Sequence, residues 1–178
     1  MTDSPFSKPQ ITNGIFMVVG QLAVNWGHLE FSLKALSSVI YGDFGGKDVE
    51  PELPQEFVRR TRFIRDWLTK APNELIEVVP QLKTLLDRVA NLNQYRDDVI
   101  HGYLSAFDER TGKITFVVLS RTPGKDFHIA KERSVTGMQL LEIGVQAGEI
   151  GHQITNITAG LLAISSGPDE AKDFLGKL

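Results

Sequence analysis

The sequence predicts a mainly α-helical fold: an antiparallel four-helix bundle with a small antiparallel β-insert between the third and fourth long helices. Three observations predict it. Apolar residues recur at alternating steps of four and three in separate stretches, the period of a helix with one buried face. Most connections between these stretches are short, which favours neighbours that run back and forth. Between the third and fourth stretches the pattern changes to short runs rich in Val, Ile, Phe and Thr, separated by turn residues.

The first helix carries Ile15, Val19, Leu22, Trp26, Leu29, Leu33, Leu36 and Ile40 on one stripe, and Gly42, Gly45 and Gly46 end it. Asp43 to Leu53 reads as a loop. A second helix is expected from about Pro54 to Lys70. Phe57, Phe63, Ile64, Trp67 and Leu68 gather on one side of it and Arg59, Arg62 and Arg65 mostly on the other, before Pro72-Asn73 breaks it. The third helix has Pro80 near its first turn, where the missing N–H costs nothing. Its stripe is Leu82, Leu85, Val89, Leu92, Arg96 and Val99. Arg96 is the sole non-apolar member, which predicts a buried guanidinium, and Gly102 is placed as a left-handed cap residue.

Strands are expected over Tyr103–Phe107, Lys113–Ser120 and Asp126–Lys131. Asp108-Glu109-Arg110-Thr111-Gly112 and Pro123-Gly124 form the turns between them. The last helix opens with a Thr136-x-x-Gln139 capping box. Its stripe is Leu140, Ile143, Ala147, Ile150, Ile154, Ile157, Leu161 and Ile164. Gly144, Gly148 and Gly151 flank the stripe. Each costs up to about 1 kcal/mol in a helix, so close approach of another helix is expected to compensate. Gly167-Pro168 ends the helix.

With 178 residues, 42% apolar and 23% charged, the chain has the size and balance of one globular domain spanning 1–178. Residues 1–10 read as a polar N-terminal tail, 103–132 as the β-insert and 168–178 as a charged C-terminal tail. A net charge of −3 supplies no global field for nucleic acid, so any RNA contact needs a local basic patch. There is no cysteine, which excludes disulfides, thiolate catalysis and cysteine-based zinc sites. The start of the chain lacks the cationic and apolar regions of a signal peptide, and no apolar run reaches the ~20 residues of a membrane span. A cytoplasmic protein with no membrane contact is expected. Phosphate-binding glycine loops and a hydrolase elbow are absent, and no cofactor is expected.

Chemistry concentrates in Arg96-Asp97-Asp98-Val99-Ile100-His101-Gly102-Tyr103. An arginine binds phosphate oxygens bidentately and stays charged. A histidine is the natural proton shuttle near neutral pH, and at a helix C-terminus the macrodipole favours its cationic form. Asp97, four residues before His101, shares its face and can orient the ring. On an ideal helix, positions 96 and 101 point about 140° apart. One chain aims both at one phosphate only if the helix unwinds near Gly102 or the arginine reaches round. A two-fold dimer packed around this segment is the alternative, each subunit completing the other's site. The structural reading of the same residues is an ion pair of Arg96 with Glu30 or Asp97.

The pattern Arg, a polar residue, three more, His, any residue, Tyr resembles the signature of HEPN domains. In particular it resembles that of HEPN ribonuclease toxins paired with nucleotidyltransferase antitoxins. The resemblance implies a helical bundle, usually dimeric, with two motifs facing each other, and RNA cleavage that in many members needs no metal. It implies that Arg96 and His101 are catalytic, that Asp97 supports them, and that Tyr103 is the tyrosine an antitoxin can adenylylate. Glu30 is a further supporting candidate, and Arg59, Arg62 and Arg65 are candidate RNA-binding residues. The alternative reading is a non-catalytic HEPN-like dimerisation, interaction or sensing module. The acidic residue at 97 and the net acidity favour it.

Asp98-x-x-His101 and Glu149-x-x-His152 resemble half-sites of bundle-borne metal centres, which His28 and Glu30 would complete. Glu149 and His152 fall far from the apolar stripe of their helix and are expected to face solvent. No metal site is expected.

Overall fold

The computed structural model describes residues 13–72, 75, 77–121 and 128–167. The expected tails at 1–10 and 168–178, the Pro123-Gly124 turn and Asn73 lie outside the described residues. Four α-helices and one three-stranded antiparallel sheet follow in the order α1 (Asn13–Asp43), α2 (Phe57–Leu68), α3 (Val78–His101), β1 (Tyr103–Asp108), β2 (Lys113–Arg121), β3 (His128–Thr136) and α4 (Gly137–Ser166). A short 3-10 turn, Gly46–Asp48, follows α1. None of the described helices is long and apolar enough to cross a membrane.

The chain divides into two compact units. One comprises the residues up to Asn25 with Leu92–Gln146, and the other Trp26–Asn91 with the residues from Ala147 onward. In the first, Leu22, Leu92, Ile114, Phe116, Leu140 and Ile143 are buried together with Val99 and Val135. Gly144 makes its packing tight, since a Cβ there would lie 3.2 Å from Leu22 Cα. In the second, Leu29, Leu33, Leu36, Phe63, Trp67, Leu82, Ile150 and Ile154 have 1% exposure or less. A Cβ on Gly151 would lie 3.2 Å from Leu29 Cα and 2.7 Å from His28 Cδ2. The two α4 glycines therefore sit where close helix approach was expected. Buried Ser37 and Thr158 satisfy their hydroxyls on the carbonyls of Leu33 and Ile154, so neither leaves an orphaned polar group.

Contacts within the second unit fix helix directions. Leu29 lies on Gly151, Ser32 Oγ is 2.9 Å from Thr155 Oγ1, and Ser165 Oγ is 3.3 Å from Asp43 Oδ2. Residue numbers climb together, so α1 and α4 are parallel there. Arg88 pairs with Glu149 at 3.7 Å, while Gln81 and Thr84 share a groove with Gln153 and Asn156. So α3 runs against α4. Strict up-and-down alternation of four helices would set α1 against α4. The physical reason for the difference is α2. At 12 residues it spans only about 18 Å, against about 46 Å for α1. It also runs in the same sense as α1, with Phe57 beside Trp26 and Phe63 beside Tyr41. The reversal falls to the loops instead.

The sheet has the order β1-β2-β3, with Tyr103 opposite Val117, Lys113 opposite Thr136, and a bulge between Leu104 and Ala106. The β1–β2 turn is built as its sequence suggests. Asp108 accepts from the Arg110 amide and the Thr111 hydroxyl, and Gly112 takes φ +64°. Those bonds, with that of Thr111 first, hold the Asp108 carboxyl below the usual carboxylate range. The third strand extends to Thr136 rather than Lys131. Residues 132–134 are polar and exposed, but pairing along the whole of β2 satisfies their backbone, which outweighs weak strand propensity. The capping box is present in both directions: Thr136 N donates to Gln139 Oε1 at 2.8 Å and Gln139 N to Thr136 Oγ1 at 3.2 Å.

Gly102 is not left-handed; among the described residues positive φ occurs at Gly45, Gly112 and Gly167. Its need is steric. A Cβ would lie 2.1 Å from Asp98 O, 3.0 Å from Val118 Cγ1 and 3.1 Å from Phe116 Cβ. This single residue turns α3 into β1 directly beneath β2. Gly102→Ala should therefore lower the unfolding free energy by about 2 kcal/mol or more. Gly160→Ala, where an added Cβ meets nothing within 4 Å, should raise it by up to about 1 kcal/mol. Urea denaturation followed by circular dichroism measures both.

Candidate active site

Arg96, Asp97 and His101 occupy the last two turns of α3, and Tyr103 is the first residue of β1. Placement of the group thus depends on the helix holding its register to His101 and on Gly102 making the abrupt change of direction.

The arginine reaches round. Its Nη1 donates to Asp97 Oδ1 at 2.8 Å and lies 3.1 Å from His101 Nε2. The 140° between the two Cα directions is overcome by the length of one side chain, so a second subunit is not needed to bring them together. A guanidinium only donates, so a hydrogen bond in this contact has Nε2 as its acceptor. Asp97 Oδ2 in turn takes a bond from Asn93 Nδ2 at 3.3 Å. Asp97 therefore holds the arginine, whereas it was expected to orient the imidazole. The expectation that Arg96 is buried is also corrected: its side chain is 24% exposed. Its Cα lies on the apolar stripe, but the long side chain carries the charge out toward the helix end.

Chemically, the group joins a fixed cation, a carboxylate and an imidazole nitrogen with a lone pair, all partly open to solvent. An incoming phosphate can displace His101 or Asp97 from the guanidinium fork. That exchange would free Nε2 to take a proton.

Tyr103 is 55% exposed. Glu30, on α1 in the other unit, accepts from Trp26 Nε1 at 2.9 Å. Arg59, Arg62 and Arg65 lie on α2, also in the other unit. Arg59 is paired with Glu50, Arg65 with Asp87 at 2.7 Å, and Arg62 is exposed. Two of these three cations are thus already engaged by carboxylates. The buried arginine is Arg60, at 6% exposure, with Nη2 donating to Gln55 O. Burial pulls its guanidinium below its ordinary range, and Glu30 opposes the shift. Its position was visible in the spacing: Phe63, Ile64 and Trp67 follow it at three, four and seven residues.

Among the described residues no group of three or more potential ligands could hold a metal ion. Glu149 is 58% exposed and His152 and His28 are exposed, which matches their place on the wheel. Asp98 lines a cavity of about 220 Å³ with Gln94, Tyr95, Arg133, Ser134 and Leu140. Desolvation there pushes its carboxyl above the usual range, Arg133 pulling it back and Asp97 adding to the rise.

In comparison with known proteins, the chain matches no family model, no curated protein and no solved structure.

The Asp98 shift sets a pH dependence. A carboxyl raised above its unfolded value contributes stability that is present below the unfolded pKa and lost as pH rises through the folded one. At pH 7 the charged form is therefore a burden. Asp98→Asn should raise the melting temperature at pH 7 by ~2 °C, and the gain should shrink toward zero as pH falls to about 4. Thermal melts across that range measure it.

Proposed function

We propose that this chain is a metal-independent endoribonuclease of the HEPN kind, with its four helices forming a HEPN-like bundle that works as a cytoplasmic homodimer. The observation that carries this reading is the 3.1 Å approach of Arg96 Nη1 to His101 Nε2 within the pattern Arg-x4-His-x-Tyr. Phosphodiester cleavage by an internal nucleophile needs one group to move a proton and one to neutralise charge on phosphorus. His101 takes the proton of an RNA 2′-hydroxyl on Nε2, and the 2′-oxygen bonds to phosphorus. Arg96 stabilises the five-coordinate phosphorane. The bond to the 5′-oxygen breaks, and the imidazolium returns its proton to that oxygen. The products are a 2′,3′-cyclic phosphate and a 5′-hydroxyl end. Asp97 holds the guanidinium in place.

Tyr103, more than half exposed, is open to a nucleotidyltransferase-type antitoxin. Its phenol oxygen would attack the α-phosphorus of a nucleoside triphosphate and release pyrophosphate. On α2, Arg62 is the RNA contact with least competition, because Arg59 and Arg65 would first have to leave Glu50 and Asp87.

A second reading is a non-catalytic interaction or sensing module. One observation favours it: Arg96 occupies the Nε2 lone pair that a base requires, and Asp97 occupies the guanidinium that a phosphate requires. Incubation of the full chain with RNA in EDTA separates the two. The nuclease reading expects fragments with 5′-hydroxyl ends, and His101→Ala and Arg96→Ala should each slow cleavage by at least about 100-fold. RNA left intact by the wild type would leave the module reading.

A further inference from the structure

We propose that α1 carries, on the face turned away from its own core, a seam for a second copy of this chain, joined helix to helix in antiparallel order. The face reads Met17, Gly20, Val24, Gly27, Phe31, again in steps of three and four. It lies about 180° around the helix from the stripe of Leu22 and Leu29. Met17, Val24 and Phe31, seven residues apart, are 70%, 73% and 70% exposed, and Phe16 beside them is 63% exposed. Single exposed apolar side chains are ordinary; an aligned series on one helix is not.

The glycines sharpen the argument. A Cβ added at Gly20 or Gly27 meets nothing within 4 Å. Each costs up to about 1 kcal/mol of helix stability relative to alanine, and no close neighbour among the described residues accounts for them. Gly144 and Gly151 on α4 are different, because each lies against an α1 leucine, whereas Gly160 is open but not aligned with a row of exposed apolar residues of this spacing. Gly20 and Gly27 are notches of the same seven-residue spacing, left open.

The occupant is a second copy because the face complements itself. In an antiparallel pair, Val24 faces the partner's Gly27, Phe31 faces the partner's Gly20, and the two-fold axis repeats both contacts. Large side chains fill the notches on each side. Phe16, Met17, Val24 and Phe31 together offer roughly 500 Å² of apolar surface. Gln21, His28 and Lys34 flank them and bring the contact toward the about 800 Å² per partner of a stable interface. From Asn13 to Phe31 the only charged residue is Glu30, which lies off this face. No like charges oppose each other across the axis, and no cationic belt invites a lipid surface. The seam does not rest on the nuclease reading.

Sedimentation equilibrium of the full chain at micromolar concentration tests it. Wild type should have twice the 19.8 kDa of one chain. Val24→Glu should weaken association about tenfold or more. Gly27→Leu should do the same, although it adds apolar surface, because it fills the notch. Circular dichroism should show both variants folded, since neither position packs against another described residue of the protomer core. A monomeric wild type overturns the seam. So does a Gly27→Leu protein that associates as tightly as wild type, because a merely sticky face would gain from leucine. Wild type that floats with phosphatidylcholine vesicles instead of self-associating overturns it as well.

Discussion

Close approach between α4 and α1 constrains most of what surrounds it. A helical glycine is costly, and Gly144 and Gly151 are kept where a side chain would collide with the α1 backbone or side chains. Dispersion between surfaces brought this near offsets part of that cost. In the unit that holds Gly151, the same approach runs α4 parallel to α1 and leaves α3 to run against α4. Since α2 follows the sense of α1, the chain changes direction between α2 and α3 in that unit. In the other unit Gly102 allows α3 to become β1 in one residue.

The electrostatics of the motif follow from that turn. Arg96 sits five residues before the helix ends, far enough back that its side chain can lie along the last turn to His101. The result is a cation held between an anion and a neutral acceptor, 2.8 and 3.1 Å away. In such a triad the cation and the anion offset each other at contact distance. It is stable without ligand, yet each of its bonds is one that a phosphate or a hydroxyl can replace without leaving an unpaired charge in an apolar surround. The partial exposure of Arg96 matters here, since a sealed guanidinium could not make the exchange.

Much of this was legible in the sequence, and the failures share a cause. Periodicity locates Cα directions, so the stripes of α1, α3 and α4 fall mostly on buried positions, although Ile164 at the end of the α4 stripe is 48% exposed, and Thr136 and Gln139 cap α4 as their spacing implies. It does not locate the end of a long side chain, so Arg96, expected to be buried, is only part-buried, at 24% exposure. Arg60 stands in a run of charge with Arg59 and Arg62 that reads as a solvent face, although its spacing from Phe63, Ile64 and Trp67 marks the core side. Nor does a period of 3.6 carry a direction, and the parallel course of α1 and α4 had no signal except the matched seven-residue spacing of leucines and glycines. Gly102 was recognised as a stop, but the strand it must avoid is remote in sequence, and so its steric role was invisible.

Helix α1 poses the remaining physical question. A surface helix is normally apolar on one side only, and a helix apolar all round is buried. Over its first half α1 has an apolar inner stripe through Leu22 and Leu29 and an apolar outer one through Val24 and Phe31. The inner stripe masked the outer one in the sequence, because two overlapping helical periods read as a merely hydrophobic run. The angular mismatch between Arg96 and His101 once gave a reason to expect two copies meeting at the motif, and the reach of the arginine within one protomer removes it. The seam proposed on α1 therefore rests on packing and not on the chemistry of the motif: among the described residues, a helix whose inner stripe is fully packed still has its far side uncovered.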